Sequence, residues 1–391
     1  MNWATATLGS VARIERKSIT PAEIPSGSRY VGLEHIESGG ASLSYGEVLN
    51  GELASNKFCF SSDHILFGKL RPYLAKIVCP DFSGICSTDI LPISSGKNID
   101  KRYLLHFLRR PQTVEWASTR STGVNLPRLS PSELETLEIP LPPLDEQRRI
   151  AAILDKADAL RRKRKRALEL LGSLGQSIFG EMFGNLVESS TYRRGTISDW
   201  VVDFDTGKNL APDPDDRRTN GYRVLKVSAV TSGTFLPTEA KPLPRDYEPP
   251  SSHFVDKGDL LFSRANTAEL IGATAYVDSE LSGLVLPDKI WRFVWRQANE
   301  PHPRFIQALF STPEFRREIS KRATGTSGSM KNISKEKVLS IEVAMPDRRM
   351  QNKFAERLAA LDQSISAATA QSLALDRNFS SLQHRAFSGQ L

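Results

Sequence analysis

The segment "LEIPLPPLDEQRRIAAILDKAD", starting at Leu137, returns in altered form as "IEVAMPDRRMQNKFAERLAALD", starting at Ile341. Aligning the two pairs Glu138 with Glu342, Gln147 with Gln351, Leu154 with Leu358 and Asp158 with Asp362, each pair 204 residues apart. The match extends upstream. Tyr103–Gly123 parallels Phe305–Gly325, with apolar pairs Tyr103/Phe305, Leu104/Ile306, Phe107/Leu309 and Leu108/Phe310, and with Pro111 opposite Pro313. That i, i+1, i+4, i+5 spacing predicts a short amphipathic helix stopped before proline. "HILFGKL" from His64 parallels "DLLFSRA" from Asp259, and each predicts a buried strand followed by a basic residue, Lys69 or Arg264. "YVGLEHIESGG" and "VLKVSAVTSGT" correspond loosely, so the spacing drifts from about 190 to 204 residues, as small loop insertions would cause. The chain therefore reads as two copies of one unit, each a mixed α/β globule of roughly 140–160 residues followed by a long helix. The expected boundaries are 1–140 and 186–344 for the globules, with helices in 141–185 and 345–391.

A proline-rich strand exit, "IPLPPL", separates globule from helix in the first copy. Proline cannot continue a strand ladder but is tolerated just inside a helix start, so the junction is stiff. The second copy keeps one of the three prolines, in "VAMPDRRMQ". Downstream, positions 354, 358, 361, 365, 368, 372, 375, 379, 382 and 386 hold Phe, Leu, Leu, Ile, Ala, Ser, Leu, Phe, Leu and Ala, an alternating four–three spacing that marks a coiled-coil seam. Shifting by 204 residues gives Ile150, Leu154, Ala157, Arg161, Arg164, Leu168, Leu171, Gly175, Ile178 and Met182, the same seam interrupted by two arginines. A helix over Leu144–Phe183 would be about 60 Å long at 1.5 Å per residue and needs a partner for its apolar stripe. The other copy's helix is the first choice, and a second chain the alternative. The run "RRKRKR" (Arg161–Arg166) points in all directions on a helix, so it forms no single face for nucleic acid. The stems of Arg161 and Arg164 can lie along the seam while their heads reach water.

No apolar run approaches the ~18 residues of a membrane span. The start, "MNWATATLGSVARIERKS", lacks the pattern of a secretion signal. Three cysteines without a CxxC pair read as reduced core residues in a cytoplasmic protein. The net charge of +7 points only weakly to a polyanion. Leu144–Gly184 carries +3 and Met345–Leu391 +2, which leaves +2 for everything else, so a nucleic-acid surface on the globules must come from local clustering. Catalytic signatures are missing: no phosphate-binding GxxxxGK[ST], no GxGxxG opening a helix, no clustered His/Cys ligands and no nucleophile elbow. "YEPPS" (Tyr247–Ser251) has the wrong order for an amino-methyltransferase loop. The residues describe a binder with no metal site. The rival classes are a self-contained DNA methyltransferase or nuclease with an unrecognised site, and a coiled-coil assembly protein with no DNA role.

The segment from "GVNLPRLSPSELETLEIPLPPLDEQRR" to "SIFGEMFG" resembles the central conserved region of specificity subunits of type I restriction–modification systems. "HILFGKLRPYLAKI" with "STDILPI" resembles the core of their target-recognition domains, and "GTSGSMKNISKEKVLSIEVAMP" the end of the second such domain. With the direct repeat, the resemblance covers nearly the whole chain. It implies two target-recognition domains, each reading one half of a bipartite, asymmetric site in double-stranded DNA. It also implies two long antiparallel helices forming an intramolecular coiled coil with pseudo-twofold symmetry. The helices would hold the domains apart and dock two modification (methyltransferase) subunits carrying S-adenosylmethionine. Restriction (translocase/nuclease) subunits using ATP and Mg2+ would join for cleavage, and this chain would hold no cofactor and catalyse nothing. Two short readouts joined by a rigid spacer become one strong one, because the second binding event is intramolecular. Half-sites one helical turn apart, roughly 34 Å, would present one DNA face to both readers.

Base readout calls for Arg, Lys, Asn or Gln on loops or helix starts. The candidates in the first copy are Lys69, Arg71, Tyr73 and Lys76 after the central strand, and Arg120, Asn125 and Arg128 around the Gly123 loop. In the second they are Arg264 and Asn266, then Arg322, Lys331 and Asn332 beside the loop of Gly325 and Gly328. The alternative for each cation is a solvated surface charge, and for Tyr73 a half-buried strand position. Leu144, Glu146, Gln147 and Gln351 at the junctions are candidates for subunit docking. Helix N-terminal capping is the other reading of the two glutamines. "LPPLDEQ" decays to "MPDRRMQ", so the second docking site would be weaker or differently built.

Overall fold

The two apolar runs singled out above lie at the middle of two sheets. The computed structural model describes residues 3–40, 42–49, 51–208, 221–244, 247–297, 300–325 and 330–391. His64–Gly68 is buried at every residue and pairs antiparallel with Ile90–Ser95 on one side and Ile77–Val78 on the other. Ala12–Ile14 extends this sheet beyond Ile90–Ser95. Leu260–Ser263, also buried throughout, lies between Ile290–Trp295 and Thr274–Tyr276, with Val201–Thr206 outermost. Strands covered on both faces read as unbroken apolar runs, which is why neither segment alternates.

The chain divides into two units, Met1–Ala167 with Ala368–Leu391, and Leu168–Ala367. Each therefore contains a globule and parts of both long helices, which span Leu144–Phe183 and Arg348–Phe387. The first of these has the bounds expected from the seam.

In the first unit a five-stranded sheet (Ser18–Ile19, Lys57–Phe60, Gly84–Cys86, Ser28–Val31, Gly46–Val48) accompanies the four-stranded one. The predicted short helix runs Lys101–Leu108, with Asp100 accepting from the Arg102 and Tyr103 amides at its start. Pro111 opens the next helix, Pro111–Thr119, where a missing N–H costs nothing. Tyr103, Leu104 and Phe107 pack with Ile150 and Leu154 of the first long helix and with Phe379 and Phe387 of the second. The Phe387 ring lies 5.1 Å from Tyr103 and 5.3 Å from Phe107. Each such buried aromatic contributes about 1.5–3 kcal/mol. Arg149 donates to the Leu391 carbonyl (2.8 Å) and Arg161 to Asp376 (2.6 Å), so the two helical segments here run in opposite directions.

In the second unit Ala240–Pro242, Arg223–Leu225 and Leu284–Val285 form a three-stranded sheet. The helices Pro303–Ser311 and Pro313–Arg322 both begin at proline. Phe183 packs on Phe305 (5.2 Å between rings) and Phe179 on Phe354 (5.4 Å). A Cβ on Gly175 would lie 3.3 Å from Leu358, so these helical segments also approach closely and in opposite directions.

All twenty expected seam positions are buried or half-buried, the two arginines included. Arg161 lies 4.3 Å over the Phe379 ring while pairing with Asp376, and Arg164 bonds Gln371. Arg162 pairs with Asp158 and Lys165 with Glu37, so much of the basic run is engaged within the chain. Among the described residues, no helix is long and apolar enough to cross a membrane.

Candidate nucleic-acid interface

In the first unit the buried central strand ends at Gly68, and the chain leaves the sheet held on both sides. The Lys69 amide donates to the Asp89 carbonyl (2.9 Å), and the Lys69 carbonyl accepts from Leu129 (3.0 Å). Arg71 and Ala75 then adopt left-handed backbone (φ 51° and 49°) around the single turn Pro72–Leu74. That region disfavours residues bearing a Cβ, and such outliers gather at functional sites. The Arg71 amide donates to the Pro127 carbonyl (2.7 Å), which ties this turn to the Gly123 loop. The loop itself is closed by a reciprocal backbone pair, Thr122 to Arg128 (3.0 Å) and back (2.9 Å).

This framework brings together Lys69, Arg71, Asn125 and Arg128. Arg71 is exposed and its guanidinium reaches the Asn125 carbonyl at 3.5 Å. Arg128 donates through Nε and a terminal nitrogen to the two Asp89 carboxylate oxygens (2.9 and 3.2 Å), and Lys69 Nζ is 4.0 Å from the same carboxylate. A bidentate arginine keeps three of its five N–H donors for another acceptor, so Asp89 orients Arg128 without saturating it. Tyr73 is exposed on the Pro72–Leu74 turn and is not a strand residue. Arg120 lies apart, paired with Glu133 (3.2 Å) and 4.7 Å over the Trp116 ring. Lys76 donates inward to the Leu33 carbonyl at 2.6 Å.

In the second unit the same arrangement recurs with different side chains. Arg264 follows the central strand, its amide donating to the Lys289 carbonyl (3.1 Å) and its carbonyl accepting from Ile333 (3.1 Å). Its Nε donates to the Asp288 carbonyl (2.9 Å), and a terminal nitrogen lies 3.9 Å from the Asp288 carboxylate. Thr324 and Asn332 form the reciprocal backbone pair, at 2.8 Å each way. Lys331–Asn332 pairs with Ala265–Asn266 as a short antiparallel ladder, which places Lys331 and Asn332, both half-exposed, beside Arg264 and Asn266. Asn266 faces inward, donating to Thr231 and Ser263 and accepting from the Thr267 amide (2.9 Å). Arg322 pairs with Glu318 one helical turn back. Gly328 lies outside the described residues.

Two acidic partners lie outside the sequence-predicted candidates: Asp89, whose carboxylate orients Arg128 and lies beside Lys69, and Asp288, whose carbonyl accepts from Arg264 Nε. Asp89 stands directly before the strand isoleucine in "STDILPI", whereas in "LPDKI" Lys289 takes that place and Asp288 precedes it by one residue.

At the junctions, Leu144 is half-buried and Glu146 pairs with Arg149 at 2.7 Å. Gln147 is fully buried: its Oε1 accepts from the Asp100 amide (2.8 Å), and its Nε2 donates to the carbonyls of Pro142 (2.8 Å) and Asn98 (3.0 Å). Gln351 does the same in the second unit, accepting from the His302 amide (2.8 Å) and donating to the Pro346 carbonyl (2.9 Å). Neither glutamine accepts from an amide of its own long helix; each instead ties the start of that helix to the start of a short helix in the globule. Leucines stand exposed along the long helices: Leu160 and Leu373 in the first unit, Leu170 and Leu174 in the second.

Residues 1–170 match the family model of the type I restriction modification DNA specificity domain. Over 187 residues the chain is 32% identical to the type I restriction enzyme EcoDI specificity subunit of Escherichia coli, a match covering 46% of this chain and 41% of that one. Over 297 residues it is 26% identical to the MjaVIII specificity subunit of Methanocaldococcus jannaschii, covering 71% and 68%. The chain thus spans about two fifths of the first relative's length and about two thirds of the second's. Its fold is similar to that of a chain in a structure of type I R-M complex assembly and conformational transition, with a TM-score of 0.62 at 20% identity, covering 100% and 98%. Residues 1–170 are thus similar to the type I restriction modification DNA specificity domain, and the chain is similar over part of its length to specificity subunits of type I restriction enzymes.

Proposed function

We propose that this chain is the DNA sequence-specificity subunit of a type I restriction–modification complex and has no catalytic activity of its own. Residues 1–140 and 186–344 are two target-recognition domains, each reading one half of a bipartite asymmetric site in double-stranded DNA. Residues 141–185 and 345–391 pair as an intramolecular antiparallel coiled coil that sets the gap between half-sites. The observation that carries this reading is the twofold recurrence of one loop frame. After each buried strand a cation lies beside an aspartate (Lys69 4.0 Å from the Asp89 carboxylate, Arg264 3.9 Å from that of Asp288), and next to it stands a reciprocal backbone pair, Thr122 with Arg128 and Thr324 with Asn332. Arg, Lys and Asn on such a frame are the groups that read base edges, and fixing them beforehand lowers the ordering cost of binding.

The exposed leucines support docking of two modification subunits along the long helices. S-adenosylmethionine would reside on those subunits, with ATP and magnesium on the restriction subunits. The test is a reconstitution. The chain alone with labelled S-adenosylmethionine and mixed-sequence DNA transfers no methyl groups. With its modification subunits it directs methylation to one bipartite sequence, with binding that weakens steeply in salt. Sustained transfer by the chain alone would favour a self-contained methyltransferase.

A further inference from the structure

Large apolar side chains stand exposed two residues before the second member of each reciprocal backbone pair. Leu126, two residues before Arg128 in the closing pair, is 46% exposed; Met330, two residues before Asn332, is 45% exposed. Val124, in the same loop as Leu126, is 100% exposed. Single exposed apolar residues need no explanation. Here, however, the position repeats 204 residues apart in two loops of different sequence. The backbone beneath it repeats too. A Cβ on Gly123 would lie 3.0 Å from the Leu126 carbonyl oxygen, and one on Gly325 would lie 2.6 Å from the Met330 carbonyl oxygen. Gly123 also has φ +109°, a conformation other residues rarely adopt. Each glycine thus lets the loop fold back on the carbonyl of the apolar residue, within a closure of two backbone hydrogen bonds. The neighbours are polar or cationic: Arg71, Asn125 and Arg128 beside Leu126, Lys331 and Asn332 beside Met330.

We infer that Leu126 and Met330, with Val124, make the apolar contacts of base recognition, meeting thymine methyl groups and base edges in the groove while the adjacent cations and amides supply the polar ones. An apolar side chain flanked by cations and amides suits a nucleic-acid groove, where phosphates flank apolar base edges. The inference rests on the reading of the chain as a DNA-specificity subunit and deepens it, assigning specificity to residues that carry neither charge nor hydrogen-bonding groups.

The test uses the chain assembled with its modification subunits, titrated with cognate and scrambled duplexes over a salt series. Leu126→Ser and Met330→Ser are each expected to weaken cognate binding by about tenfold. They leave scrambled-duplex binding unchanged. They also leave the slope of log affinity against log salt unchanged, because an apolar contact releases no counterion. Arg71→Ala, by contrast, lowers that slope by about 0.9. Leu126→Met restores cognate affinity. Serine variants that bind cognate DNA like the parent, or that lose cognate and scrambled binding together, overturn the inference. A parent complex that does not distinguish the two duplexes would instead sink the reading on which the inference rests.

Discussion

Replacing Gln147 with leucine separates two roles that sequence alone leaves open. The side chain is fully buried and makes three hydrogen bonds, to the Asp100 amide and the Asn98 and Pro142 carbonyls. Each neutral bond contributes about 1 kcal/mol net, so the substitution costs about 3 kcal/mol even though leucine fills much of the space. For a unit of this size, that lowers the melting temperature by about 6–12 °C. Gln351→Leu removes two equivalent bonds and costs about 2 kcal/mol, or roughly 4–8 °C in the second unit. Scanning calorimetry of the purified chain measures both, and hydrogen exchange at Asp100 and His302 reports the freed amides. If both variants melt within a degree of the parent, the glutamines are not structural clamps. Unchanged melting with lost binding of modification subunits would instead establish them as docking residues.

Asp89→Asn removes the negative charge that orients Arg128 and Lys69. Binding to DNA of any sequence should tighten, with a salt slope steeper by about 1–2, while discrimination between cognate and scrambled duplexes falls; filter binding over a salt series checks this, and an unchanged slope contradicts it. Asp155 gives a pH prediction. Burial tends to raise its pKa, but His106 (2.8 Å) and Arg102 (2.6 Å) hold the carboxyl well below the usual carboxylate range. A depressed folded value stabilises fully above the unfolded one and is lost as pH falls through the folded one. The gap in urea midpoint between parent and Asp155→Asn should therefore be full at pH 6 and narrow at pH 3, and a constant gap would contradict this.

The mixed α/β class and the two long helices were legible because they are written in periods. The apolar runs marked buried strands, and the four–three spacing marked helix positions that are buried or half-buried. Arg161 broke that pattern in sequence and fits it in space, since its guanidinium covers Phe379 while pairing with Asp376. The sites were less legible, because pairing partners lie far apart in the chain. Nothing near Arg128 announces that Asp89 holds it, and nothing near Lys76 announces the Leu33 carbonyl. Asn266 has the right chemistry for reading a base but bonds inward. Gln147 and Gln351 were visible as a repeated pair, yet repetition does not distinguish a buried clamp from a docking group. Leu126 and Met330 escaped because exposure of an apolar residue is a property of the folded loop.

If the globules read DNA as proposed, each one determines one half of the target. Exchanging residues 1–140 for the corresponding segment of a relative, and mapping methylated adenines with the modification subunits present, measures this directly. One half of the methylated sequence should change while the other half and the gap stay fixed. An unchanged sequence, or one altered in both halves, would contradict it.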